Sequence, residues 1–188
     1  MRVSMPQGEE GTPISLVGMV YAPEIGRVAN QFSSITYTAS KLSLREFEAA
    51  RMITAHINGC QLCQNWRSAT DLPLYLKGLG HDASHSVADH GAVPDDAFYA
   101  AVADWRVADI FSPRERIALE MAERMGTEPK AIAGDEDFWV RAHAVFTDAE
   151  IVDLAYCIAC WMGLGRMTHV LGLDGLCSLP TARAPVAA

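Results

Sequence analysis

Three short signatures commit this chain to helices. Ser43-Leu-Arg-Glu46, Ser112-Pro-Arg-Glu115 and Thr147-Asp-Ala-Glu150 each set a hydroxyl three residues ahead of a glutamate. In that arrangement the hydroxyl accepts an orphan amide of the new helix while the carboxylate reaches back to the cap residue's own amide. Apolar residues then follow at helical spacing. Phe47, Ala50, Ile53 and Ile57 form the stripe behind the first box, and Ile117, Ala118 and Met121 the one behind the second. Behind the third runs an almost unbroken apolar stretch from Leu154 to Leu164, too short to span a bilayer and suited to a buried core or an interface. No repeated strand alternation accompanies them. The expected fold is all-α, one domain of about six to eight helices around a single core.

Composition narrows the classes of function. Of 188 residues half are hydrophobic and 20% charged, which is globular rather than disordered. The formal net charge of -8 argues against nucleic acid and against an anionic membrane as partners. Five cysteines, four of them in two Cys-x-x-Cys pairs, do not form a secreted disulfide framework, and the N-terminus lacks the long apolar core of a secretory signal. A reducing cytoplasm is the expected compartment. The chain divides into an N-terminal arm at 1–22, a helical domain at 23–176 and a frayed tail at 177–188.

The densest chemistry lies between Glu48 and Arg67. Glu48 sits beside the apolar stripe, with Leu44 and Met52 as its i±4 neighbours. Asn58-Gly59 tolerates left-handed backbone and stops the helix, and Cys60-Gln-Leu-Cys63 follows at once. A second helix starting there places both sulfurs in its first turn, where helix amides favour the thiolate, the nucleophilic form. That spacing also lets the sulfurs close a disulfide. Arg67, four residues after Cys63, falls one turn further on the same face of such a helix and adds to the bias. Buried apolar cysteines, or half of a zinc site, are the alternative readings.

Glu48 followed twelve positions later by Cys60-Gln-Leu-Cys63, directly after Asn58-Gly59, resembles the core of the carboxymuconolactone decarboxylase and alkylhydroperoxidase D family. The resemblance runs from about Pro23 to Asp174. It is supported by the stretches beginning Phe111-Ser-Pro-Arg-Glu and Thr147-Asp-Ala-Glu150. It implies an all-helical, homo-oligomeric protein that needs no cofactor and reduces peroxides through its cysteine pair. It further implies that Cys63 attacks, Cys60 resolves and Glu48 ends a proton relay. The chain departs from the pattern at two places. Arg67 stands where peroxidase members carry a histidine, and Leu62 where they carry a second. An arginine stabilises a thiolate but does not shuttle protons near neutrality. His56, four residues before Cys60, is the candidate replacement, against the reading of a histidine bonded to backbone.

Other features are weaker. His81 and His85 stand at i, i+4 spacing, with His90 and Asp82 or Asp89 nearby, and are read as a polar connection rather than a metal site. Cys157-Ile-Ala-Cys160 lies inside the apolar helix, where the amides are already bonded, so its thiols are read as small hydrophobes rather than the other half of a four-thiolate zinc site. Ile14 to Tyr21 reads as β-compatible, Val28 and Phe32 as an inward face, Ser33 to Ser40 as a connection whose Tyr37 is read as a surface residue, with closure over a pocket as the alternative, Thr70 to Pro73 as a break, and Pro129 to Glu136 as a linker. The expected function is a thiol-dependent hydroperoxide reductase that draws on an external thiol reductant. The alternatives are a family enzyme acting on a carbonyl or lactone, and a non-catalytic, zinc-stabilised oligomer.

Overall fold

The computed structural model describes residues 2–4, 14–78 and 84–174. Its elements are α1 (Ile14–Tyr21), α2 (Pro23–Ala39), α3 (Leu44–Asn58), α4 (Gln61–Asn65), α5 (Ser68–Gly78), α6 (Asp96–Ala101), α7 (Pro113–Thr127), α8 (Pro129–Ala133), α9 (Glu136–His143) and α10 (Asp148–Val170). Short 3-10 turns lie at Val87–Asp89 and Val102–Asp104, and no strand occurs among the described residues.

All three capping boxes form, opening α3, α7 and α10. Two of them clasp each other. Arg45 of the first pairs with Glu115 of the second, and Arg114 of the second pairs with Glu46 of the first and with Glu150 of the third. The three helix starts are thereby held together at one end of the bundle. α3 runs through the middle, packed on α7 and α10, and nearly every side chain from Leu44 to Ala55 is buried. Phe47, Phe98 and Phe138 have no exposed surface, and Phe47 meets Trp161 edge to face at 4.6 Å. Burying an aromatic ring of that size is among the largest stabilising contributions a single side chain makes.

The structure differs from the sequence reading at several elements. Ile14–Tyr21 is a helix, because α1 folds back on α2 where Gly18 and Gly26 let the backbones touch. A Cβ on Gly26 would lie 2.7 Å from the Gly18 carbonyl oxygen. Ser33 to Ala39 continues α2. Its inward side is Gly26 and Thr36, while Val28 is 55% exposed. The break expected at Pro73 lies earlier, at Trp66 and Arg67, because α5 starts at Ser68 and passes through the proline. Pro129–Ala133 is a short helix rather than a linker.

Candidate functional site

α3 ends on Gly59, whose φ of 70° is the left-handed conformation expected there. Its reversal delivers Cys60 as the N-cap of α4, with its sulfur accepting from the Cys63 amide at 3.3 Å. Cys60 and Cys63 are joined as a disulfide across a Cα separation of 5.3 Å. Cys60 is fully buried, whereas Cys63 is half-buried.

Behind this hairpin stands a buried ion pair that the sequence reading missed. Arg51 grips Glu48 with Nε to Oε1 at 2.6 Å and Nη2 to Oε2 at 2.9 Å, and neither residue is more than 2% exposed. The same guanidinium donates to the Cys63 carbonyl at 2.5 Å and to the Trp66 carbonyl at 2.7 Å. Ser68 Oγ and Tyr99 Oη complete the carboxylate, each at 2.6 Å. Burial pushes the Glu48 pKa up, but the Arg51 charge and the hydrogen bonds from Arg51, Ser68 and Tyr99 outweigh it, so Glu48 is held below the usual carboxylate range. Burial, the Glu48 charge and its hydrogen bond push the Tyr99 phenol far above its ordinary value. Both Glu48 oxygens are thus occupied, and Arg51 links the carboxylate to the cysteine hairpin. The i, i+3 spacing of Glu48 and Arg51 was a signal available in the sequence.

Arg67 does not continue the helical face of Cys63. α4 stops at Asn65 and Trp66 is extended, so the register expected between them is lost. Its Nη1 donates to the Gln64 and Trp66 carbonyls at 2.6 and 2.9 Å, and its guanidinium lies 3.8 Å over the Tyr99 ring. His56 lies beside Arg67 and Tyr99 in a small cleft of about 320 Å³. Its pKa is lowered by burial first, then by the charges of Arg51 and Arg67.

Cys63 faces a different space, an apolar cavity of about 800 Å³ between α1, α2, α3, α4, α5 and α10. Tyr37, expected at the surface, lines it, packed at 5.1 Å on Phe47 and 6.4 Å from Trp66. Cys160 lines it as well, with its thiol pushed up to about 11 by burial against the opposing effect of Thr36 and Ser33 hydrogen bonds. Burial likewise raises the Cys157 thiol, so this second pair keeps the character of small apolar side chains. Outside the cavity, His169 bonds Asp174 at 3.0 Å, and Asp174 accepts the Gln61 amide at 3.2 Å, bracing the start of α4.

Among the described residues no group of three or more His, Cys, Asp or Glu side chains is gathered to hold a metal ion, so the two cysteine pairs do not form one thiolate site. His81 lies outside the described residues. His85 takes a left-handed φ of 70°, and His90 bonds the Leu42 carbonyl at 3.0 Å.

A helical bundle around α3, with a Cys-x-x-Cys disulfide on the short helix that follows it, is an alkylhydroperoxidase D-like fold. A crystal structure of a protein of unknown function from Agrobacterium tumefaciens, described as a candidate antioxidant defence protein AhpD, matches with a TM-score of 0.60 over 90% of this chain and 96% of that one. At 18% identity the likeness is one of fold. The uncharacterized protein YnjA of Escherichia coli strain K12 is 33% identical over 86 residues, 45% of this chain, and the match spans 46% of that relative's length. No protein-family model matches. No helix among the described residues is long and apolar enough to cross a membrane.

Proposed function

We infer that the protein is a thiol-dependent hydroperoxide reductase, and the observation that carries this reading is the Cys60–Cys63 disulfide with Cys63 at the wall of a large cavity and Cys60 buried behind it. In the dithiol form the Cys63 thiolate attacks the terminal peroxide oxygen. The O–O bond breaks, an alcohol leaves after protonation, and Cys63 becomes a sulfenic acid. The Cys60 thiol then displaces water from it and forms the disulfide, which an external dithiol reopens by exchange, supplying two electrons and two protons.

Glu48 acts in this scheme by holding Arg51, and Arg51 by holding the Cys63 and Trp66 carbonyls. Arg67 contributes positive charge, and His56 is the titratable base on its side of the hairpin. The carbonyl or lactone alternative has no comparable support. Reduced protein should consume an organic hydroperoxide in a coupled assay, with sulfenic acid trapped at Cys63. Loss of trapping together with full consumption in Cys63→Ser would remove the reading.

A reducing cytoplasm remains the compartment that would keep these thiols supplied with electrons. The partner expected besides substrate and reductant is a second copy of the chain. What supports it is an exposed apolar stripe on α10, comprising Val152, Tyr156, Ala159, Gly163, Met167 and Val170, with Ile25, Val28 and Ile35 exposed on α2.

A further inference from the structure

The last turns of α10 are brought onto the cysteine hairpin by their own sequence. Trp161, Gly165 and His169 recur at every fourth residue and so lie along one face of the helix. The Trp161 carbonyl accepts from Asn58 Nδ2 at 3.0 Å, and Gly165 leaves room for that same amide, which a Cβ would approach to 2.7 Å. One turn later His169 meets Gly59, with ring atoms Nε2, Cε1 and Cδ2 at 3.0, 3.3 and 3.4 Å from where a Cβ would stand. The helix then closes in a left-handed turn at Gly172, φ 67°. There the Gly172 amide bonds the His169 carbonyl at 2.8 Å and the Leu173 amide bonds the Thr168 carbonyl at 2.9 Å. That reversal returns Asp174 to the imidazole, which its carboxylate meets at 3.0 Å.

The outcome brackets Cys60. His169 lies on the residue before it, and Asp174 accepts the amide of the residue after it, Gln61, at 3.2 Å. Burial pushes the Asp174 pKa up, but hydrogen bonds from His169 and from backbone amides outweigh it, so the carboxylate stays charged below its usual range. It therefore holds a proton on His169 Nδ1 and fixes the ring against Gly59. Half of the His169 side chain is in water, whereas Cys60, between the two contacts, has no exposed surface. Cys63 lines the large cavity, and Cys60 lines neither that cavity nor the smaller cleft beside His56.

We propose that His169 and Asp174 are positioning residues that close the outer side of Cys60, so that an outside thiol or oxidant reaches the pair only at Cys63. The inference rests on the reading of Cys63 as the reacting thiol, and it sets the direction of regeneration, because exchange proceeds at the sulfur a thiolate can reach. The reductant thiolate attacks Cys63 Sγ. The Cys60–Cys63 bond breaks as the bond to the reductant forms, and Cys60 leaves with the electron pair and takes up a proton. The second thiol of the reductant then displaces Cys63, which takes up the second proton, and closes the reductant's own disulfide. Cys60 stays a protected thiol until Cys63 is next oxidised.

Alkylation separates this closure from peroxide chemistry. Full-length Cys63→Ser protein is reduced, freed of reductant and treated with iodoacetamide, and the rate at each cysteine is read by peptide mass mapping. Cys60 should react at least ~100-fold more slowly than Cys63 does in Cys60→Ser protein, since alkylation needs an accessible thiolate. Adding His169→Gly should raise the Cys60 rate at least ~tenfold by the same requirement, and leave Cys157 and Cys160 as they were. His169→Phe, which keeps a ring over Gly59, should restore the protection. Cys60 as reactive as Cys63 at the outset overturns the proposal, as does an unchanged Cys60 rate in His169→Gly or a phenylalanine variant as reactive as the glycine one. Equal acceleration at Cys157 and Cys160 overturns it too, because it reports opening of the whole helix end. If the labelling pattern is as described but hydroperoxide yields no sulfenic acid at Cys63 in otherwise wild-type protein, the closure stands and the reductase reading falls. If Cys63 traps as sulfenic acid and Cys60 is indifferent to His169, the reverse holds.

Discussion

Arg51 Nη1 lies 2.5 Å from the main-chain oxygen of Cys63, so a cation buried in α3 is bonded directly to the cysteine hairpin. The guanidinium is oriented by Glu48, and Glu48 in turn by Ser68 and Tyr99. A residue one turn along the central helix thereby ties the cysteine pair to the core.

That arrangement makes Glu48 a structural residue first. Glu48→Gln leaves Arg51 buried without a counter-charge, and breaking such a pair costs about 3–5 kcal/mol. Replacing both residues together, as Glu48→Leu with Arg51→Met, should cost clearly less than the sum of the single changes, because no unpaired charge remains. Urea denaturation of the four proteins gives the coupling. Additive costs would mean that the pair does not act as a unit.

Gly59 meets two demands at once. Its φ is 70°, and a Cβ there would lie 3.0 Å from His169 Nε2. Gly59→Ala should therefore lose about 1–2 kcal/mol from backbone strain alone. Displacement of His169 should also loosen Asp174 from the Gln61 amide at the start of α4. Amide exchange at Gln61 should then accelerate more than exchange in α7. Uniform acceleration across the chain would instead report a global effect.

Much of the fold was legible because its signals are local. The three capping boxes, the stop at Gly59 and the buried faces of α3 and α7 all follow from residues within one or two turns of each other. The all-helical expectation needed little more. What escaped was tertiary. Tyr37 is a core-facing residue only because α2 lies across Trp66 and Phe47. Tyr99 reaches Glu48 from fifty-one positions away, and no spacing rule covers that distance. Arg67 was misplaced for a local reason: α4 is five residues long, and the helical period assumed from Cys63 ends before reaching it.

Acid should weaken the clasp between the helix starts. Glu150 is held at about 2, below its ordinary 4.5, by the Thr147 amide first and then by Arg114 and the Thr147 hydroxyl. A carboxylate depressed in the folded state contributes fully above its unfolded pKa, and that contribution fades as pH falls toward the folded value. The stability it adds should accordingly disappear between about pH 4.5 and 2. Thr147→Ala, which removes the cap, should cost about 1 kcal/mol at neutral pH. Glu150→Gln should flatten this part of the stability profile, measured as urea midpoints from pH 5 downward. An unchanged slope would place the acid sensitivity in other carboxylates.

The outer face of α10 bears on assembly. Val152 is 52% exposed, Tyr156 63% and Val170 69%, and Gly163 has nothing within 4 Å of where a Cβ would stand. Exposed apolar side chains on one helix face, interrupted by Ala159 and Gly163, offer a second helix a close approach without removing anything from the core. If two copies meet there, Gly163→Arg should shift the protein to monomer in light scattering at micromolar concentration. Thermal stability should then become independent of protein concentration, as it does when assembly no longer adds to folding. The same substitution on a surface that stays in water changes stability by no more than about 0.5 kcal/mol and leaves the mass as it was.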